Sequence, residues 1–283
     1  MPKELDVWSL RATPLTMLCN GHVIGSATGF FWRTDREHFL FNNWHVLAGR
    51  NPTTMVALHK DAAVPDHIEY VRFIEGESYD EVVRVRVSLK AEDGSPAWFQ
   101  HSAHGSSVDV AAVQISKGIP VETALGWKNT YIHFINQDIT PLQEILASVP
   151  PWRAFRRDMG ADMFVIGFPL GTKVTGHFPI WKRASVASEM DILLNGRPAF
   201  LIDTATREGM SGAPVIHRTF DIANTHTDKL TPRPVDAFVG IYSGRHIGRL
   251  NQEAHLGIVW REELIREIVA TKTRGFADLS RLP

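Results

Sequence analysis

The sequence is nearly devoid of cysteine. Cys19 is the only one among 283 residues, so no intrachain disulfide can form. With no CxxC pair a thiolate metal site is not expected either, and Cys19, set in LTMLCNG, reads as a small buried core thiol. Net charge is also lacking: 30 Lys and Arg against 31 Asp and Glu leave a formal charge of −1. That balance offers no field to steer nucleic acid or an anionic membrane toward the chain. Short basic clusters such as WRAFRRD, with Arg153, Arg156 and Arg157, read as a solvated face. An uninterrupted apolar span of about twenty residues is missing, so no transmembrane helix is expected. The start, MPKELDVWSLRATPL, carries early acids and no apolar run, unlike a secretory signal. A soluble, cytoplasmic protein is the expectation, and 44% hydrophobic with 22% charged residues is an ordinary globular composition.

What is present is a series of short β-type runs separated by turn signals. They include VIGSATGFFW, HFLFNNWHVL, TTMVALH, EVVRVRVSL, SVDVAAVQI, DMFVIGF, RASVAS, AFLIDTA, APVIH, AFVGIY and LGIVW. EVVRVRVSL alternates strictly, Val83, Val85 and Val87 against Arg84, Arg86 and Ser88, which predicts a strand with one face in water. Many short strands without regularly alternating helices point to an antiparallel sandwich or barrel. Two stretches carry helical spacing. QDITPLQEILASV puts Leu142, Ile145, Leu146 and Val149 on one face, and REELIREIVATKT does so with Leu264, Ile265, Ile268 and Val269. Stretches near 60–80, 88–107 and 219–236 read as long surface loops.

REGMSGAPVI, residues 207–216, places a serine between two glycines before an apolar run. Gly and Ser dominate ordinary turns, and a serine hydroxyl is a weak nucleophile without a base and a means of holding the oxyanion. A base is available in His45 of FLFNNWHVLAG, where an apolar strand gives way to a turn. An orienting acid is available in Asp109 of SSVDVAAVQI, a carboxylate in an apolar run that needs a partner if buried. Each of the two has a purely structural explanation alone. The order His45, Asp109, Ser211 is one of the known chain orders of the Ser-His-Asp triad.

These segments resemble the trypsin-like serine proteases, specifically the disulfide-free bacterial branch that includes glutamyl endopeptidases and HtrA-type enzymes. GSATGFFW is similar to the G-S-G-F strand before the catalytic histidine, NNWHVL to T-A-A-H-V, and VDVAAV to D-x-A-x-L. VIGFPLG is similar to I-G-x-P-x-G, and DTATREGMSGAPVI follows D-x-A-x-x-x-G-x-S-G-x-P-V without a gap. GIYSG resembles the strand whose edge pairs with bound peptide, and GIVW followed by REELIREI resembles the last strand and terminal helix. The resemblance implies an all-β fold of two six-stranded antiparallel barrels of the chymotrypsin type with a C-terminal helix. Its implied parts are an N-terminal barrel over about 10–120, a connection over 121–160, a C-terminal barrel over 161–262 and a helix over 261–273. It implies a catalytic triad of His45, Asp109 and Ser211, with the Gly209 and Ser211 N–H groups as oxyanion hole. Ala205, Thr206, Tyr242, Ser243, Gly244 and Arg245 are the implied substrate-binding positions. The implied partner is a polypeptide substrate, with no cofactor, metal, nucleic acid or membrane, and a separately encoded regulatory partner stays open.

Met210 departs from the pattern, because digestive and clotting enzymes carry there an aspartate that pairs with a new N-terminal ammonium. The chain therefore lacks that activation route, and the serine turn is either intrinsically ordered or ordered by something else, such as a partner or a substrate. No acid falls at Ala205 or Thr206, so preference for Lys or Arg before the scissile bond is unsupported. A small or medium uncharged residue is expected, with Arg245 read as exposed or as favouring an acidic one. His101 and His104 have no clear further metal ligands nearby, and His217, His226, His246 and His255 follow no ligand spacing. No PDZ-like module is expected after the terminal helix. The alternative is a catalytically silent protease fold serving as a binding module. An α/β-hydrolase esterase is excluded by the missing G-x-S-x-G elbow and by the residue order.

Overall fold

A computed structural model describes residues 5–124, 126–137, 159–172, 174, 177–223, 231–247 and 253–275. The helix expected in QDITPLQEILASV, apart from Gln137, and the basic cluster WRAFRRD lie outside the described residues. In the first half, β1 (Ala12–Cys19), β2 (His22–Arg33) and β3 (His38–Asn42) run as an antiparallel meander. They are followed by β4 (His67–Ile74), β5 (Val82–Ser88), β6 (Trp98–Gln100), β7 (Ala111–Ile115), β8 (Pro120–Thr123) and β9 (Gly126–Tyr131). The second half holds β10 (Asp162–Gly167), β11 (Ile180–Val186), β12 (Ala199–Asp203), β13 (Pro214–Ala223), β14 (Thr231–Ile247) and β15 (Glu253–Arg261). A helix, Glu263–Thr271, and a last short strand, β16 (Thr273–Arg274), end the described chain.

Among the described residues the fold is mostly β, in two barrel-like bodies. Strands β10 to β15 close into a barrel in the order β10-β11-β12-β15-β14-β13, the expected six. The first body is larger, a ten-stranded sheet ordered β16-β6-β7-β3-β2-β1-β4-β9-β8 with β5 added beside β4. In β5 the valines from Val82 to Val87 are half-buried while Arg84, Arg86 and Ser88 are exposed, as alternation requires.

The largest core cluster straddles both bodies. Phe30, Phe39 and Phe41 of the first meet Ile166, Phe168, Phe238, Ile241 and Trp260 of the second. The terminal helix packs Leu264, Ile265 and Ile268 into the same cluster. Each such side chain contributes roughly 1.5–3 kcal/mol by leaving water, so the two bodies are joined by a common interior. The site described below lies along this seam.

Several local expectations are corrected. TTMVALH is not a strand but a run of turns with a single bridge, Arg50 to Ala57. There Asn51 Oδ1 accepts from the Thr53 and Thr54 N–H groups and Arg50 holds the Met55 carbonyl, so local side-chain bonds outcompete a ladder. The expected loops at 60–80 and 88–107 contain β4 and β6. Of the expected loop at 219–236, the described residues 219–223 and 231–236 instead pair as the outer rungs of β13 and β14, from Thr219–Val235 to Ala223–Thr231. Pro232 and Pro234, two residues apart, lack their N–H on one side only, which leaves the other side able to pair. Cys19 is half-buried at the end of β1, opposite His22 across a tight turn, and is not a core thiol.

Candidate active site

The base is positioned first. β3 ends at Asn42, and the short helix Trp44–Ala48 begins at Asn43 and stops at Gly49, whose φ of 63° ends it in the left-handed region. Trp44 is buried and donates its indole N–H to Gln100 Oε1 at 2.9 Å, which turns the next residue, His45, toward the seam. Asn43 Nδ2 donates to the Asp109 carbonyl at 2.8 Å and so ties the start of this helix to the turn before β7.

The Asp109 side chain is only 6% exposed, and a carboxylate so placed needs compensating donors. It has three. The His45 backbone N–H reaches Oδ1 at 2.8 Å, His45 Nδ1 reaches Oδ2 at 2.7 Å, and the Ser243 hydroxyl donates to Oδ2 at 2.5 Å. A carboxylate oxygen only accepts, so Nδ1 carries the proton and Nε2 is left with its lone pair. Ser243, expected at the substrate-binding strand, thus points its side chain at the acid.

The serine turn is built by carbonyl anchors. Leu170 N–H bonds the Glu208 carbonyl at 2.7 Å, and Ala213 N–H bonds the Met210 carbonyl at 3.0 Å. In a trans peptide the N–H and C=O point in opposite directions. The N–H groups of Gly209 and Ser211 therefore face away from those anchors, and neither meets an acceptor among the described residues. Gly209 has φ 89°, and a Cβ there would sit 2.4 Å from the Phe168 carbonyl oxygen. Gly212 has φ 84°, and its Cβ would sit 2.2 Å from the Thr28 oxygen. Both positions demand glycine. Gly212 N–H donates to the Tyr242 carbonyl at 2.8 Å, next to Ser243, so the serine turn connects to the acid through one short stretch of β14.

The remaining expected positions divide. Thr206 and Tyr242 are buried and hydrogen-bonded to each other through their hydroxyls. Burial pushes the Tyr242 hydroxyl above its ordinary range, against smaller opposing effects of the Thr206 bond and the Arg245 charge. Ala205 is exposed, and Gly244, at φ 118°, and Arg245 are half-buried where β14 shifts register against β15. Elsewhere, His101 Nε2 bonds Glu267 at 2.7 Å, and its ring stacks on that of His104. His217 is buried within β13, and His255 is exposed with φ 54°. His226 and the side chain of His246 lie outside the described residues.

A carboxylate–imidazole pair at the seam of two β-barrel bodies, linked through Ser243 and the neighbouring Tyr242 carbonyl to a glycine-flanked serine turn, sits in a chymotrypsin-like fold. The chain belongs to the trypsin-like peptidase family: that family's domain, described as "Trypsin-like peptidase domain", matches residues 27–222. By that membership it is a peptidase in class, acting on polypeptides. Among solved structures it is similar to the Rv3671c protease of M. tuberculosis, 16% identical over 93% of this chain and 89% of that one, TM-score 0.41. It is also similar to protease Anisep from Arthrobacter nicotinovorans, 10% identical over 94% and 96%, TM-score 0.46. A serine endoprotease from Yersinia pestis matches at 10% identity over 96% and 67%, TM-score 0.41. No curated protein sequence matches. No helix among the described residues is long and apolar enough to cross a membrane.

Proposed function

We propose that the chain cleaves internal peptide bonds with His45, Asp109 and Ser211 as its triad. In this reaction Ser211 Oγ attacks the scissile carbonyl carbon while His45 Nε2 takes the hydroxyl proton. The N–H groups of Gly209 and Ser211 hold the tetrahedral oxyanion. Collapse expels the amine, which leaves with the proton from His45, and water then hydrolyses the acyl-enzyme by the same route. The observation that carries this reading is the threefold grip on Asp109, which locks His45 in the tautomer whose Nε2 can act as base. An oxyanion donor is worth a hundred- to thousand-fold in rate in related chemistry, about 2.7–4 kcal/mol.

For specificity we propose a small or medium uncharged residue before the scissile bond. Thr206 and Tyr242 satisfy each other and present no charge, in keeping with that preference. Ala205, Gly244 and Arg245 complete the proposed substrate-binding positions. We also propose the division given by the resemblance, with the acid and base on the first barrel and the serine on the second. Labelling with a fluorophosphonate probe tests the reaction: the wild type is expected to label, and Ser211→Ala to lose all labelling while remaining folded. Equal labelling of the two proteins would sink the proposal. The labelling rate is expected to rise with pH, since the base must be unprotonated.

A further inference from the structure

We infer that Thr28 is a positioning residue that holds the serine turn in its working geometry, in place of the ion pair that Met210 cannot make. This rests on the reading of Gly209 and Ser211 given above. Thr28 lies in β2 of the first body and is fully buried. Its N–H donates to the Ser211 carbonyl at 2.9 Å. Its hydroxyl donates to the Gly209 carbonyl at 2.7 Å and accepts from the Phe168 N–H at 3.0 Å. Its own carbonyl accepts from Asn42 Nδ2 and lies where a side chain on Gly212 would go. Every polar atom of one residue is thus committed to the turn or to its immediate supports.

The hydroxyl matters most, because it brings two separate segments to a single atom. One is the Phe168–Leu170 segment after β10 and the other is the Gly209–Met210 peptide. Two residues beyond Phe168, Leu170 N–H anchors the Glu208 carbonyl, the bond that faces the Gly209 N–H the opposite way. Removing the hydroxyl frees the Gly209 carbonyl and the Phe168 N–H together, so the turn loses the contact that keeps both donors aimed. Gly167 belongs to the same device, since a Cβ there would come within 2.7 Å of the Thr28 hydroxyl oxygen. Met210 is buried beside it, its sulfur 3.1 Å from where a Cβ on Gly167 would sit, and supplies packing but no charge. Ordering therefore comes from a neutral hydrogen-bond clamp built into the folded chain, not from a charge created by cleavage.

The test compares fluorophosphonate labelling kinetics of wild type, Thr28→Val, Thr28→Ser and Ser211→Ala. Valine keeps the branched shape without the hydroxyl, and serine keeps the hydroxyl. Thr28→Val is expected to lower the limiting labelling rate by about a hundredfold, the scale of one lost oxyanion donor. The probe concentration at half-maximal rate should stay within about threefold and the pH profile should not move, because the His45–Asp109 pair is untouched. Thr28→Ser is expected to label within about fivefold of wild type. A purely structural role would instead lower the folded fraction, read by thermal melting, and leave the rate per folded molecule unchanged. Wild-type rates in folded Thr28→Val, or loss of rate in folded Thr28→Ser, would overturn the clamp alone. Failure of the wild type to label at Ser211 would overturn the catalytic reading and the clamp with it.

Discussion

Three donors converge on the Asp109 carboxylate, two from His45 and one from Ser243. Replacing one oxygen by an amide nitrogen would set donor against donor at this point. Asp109→Asn is therefore expected to drive the His45 ring into the other tautomer and lower labelling by about a thousand- to ten-thousand-fold with the fold intact. A drop under tenfold, measured at a pH where wild type is fully active, would rule out the tautomer-locking role. Asp109 was readable in the sequence because a carboxylate in an apolar run calls for partners, and Gly209 because a glycine two before a serine allows a sharp turn. Ser243 and Thr28 were not readable in their true roles. Their partners lie 134 and 181 residues away, and a hydroxyl in a β-run gives no local sign of which distant group it meets.

The terminal helix illustrates what periodicity does and does not reveal. Leu264, Ile265 and Ile268 are buried as their spacing predicts, yet the way the helix stops involves a lysine. Lys272 takes the left-handed conformation, φ 46° and ψ 41°, donates its N–H to the Ile268 carbonyl and reaches Glu37 with its ammonium at 2.8 and 2.9 Å. The backbone penalty for a non-glycine residue there is about 1 kcal/mol, and a partly exposed ion pair returns about 0.2–1 kcal/mol. The two nearly cancel. Lys272→Gly is expected to leave the urea midpoint almost unchanged, whereas Lys272→Ala, which keeps the penalty and loses the pair, should be about 1 kcal/mol less stable than the glycine variant. Equal midpoints for the two variants would refute the conformational account. The β13–β14 hairpin shows the opposite limit, because its outer rungs are too polar and proline-bearing to read as strand until their cross-chain partners are known.

At the scale of the whole molecule, protonation provides a lever on stability. His38 is held below the ordinary histidine value of 6.5 by burial, then by the charges of Arg72, Lys117 and Arg33. His133 is held below it by burial and then by Arg11. The folded state therefore binds these protons less readily than the unfolded state, so stability is complete above about 6.5 and falls as the pH drops below it. Melting temperature is expected to decline from about pH 7 to pH 5, and the His38→Asn/His133→Gln double variant to show a shallower slope. Identical slopes in the two proteins would contradict the assignment.

The placement of β16 has a temporal consequence. Thr273 and Arg274 pair with Gln100 and Phe99, and Gly275 N–H reaches the Trp98 carbonyl at 2.8 Å, so the last described strand forms the border of the first sheet. During synthesis that border stays open until Thr273 and Arg274 have emerged, and Thr28, made early, stays without its partners until the serine turn follows it. Pairings over such long separations form late. On the reading proposed above, the arrangement around Ser211 forms only when β2 of the first body meets the turn of the second, so a nascent first half carries no cutting site.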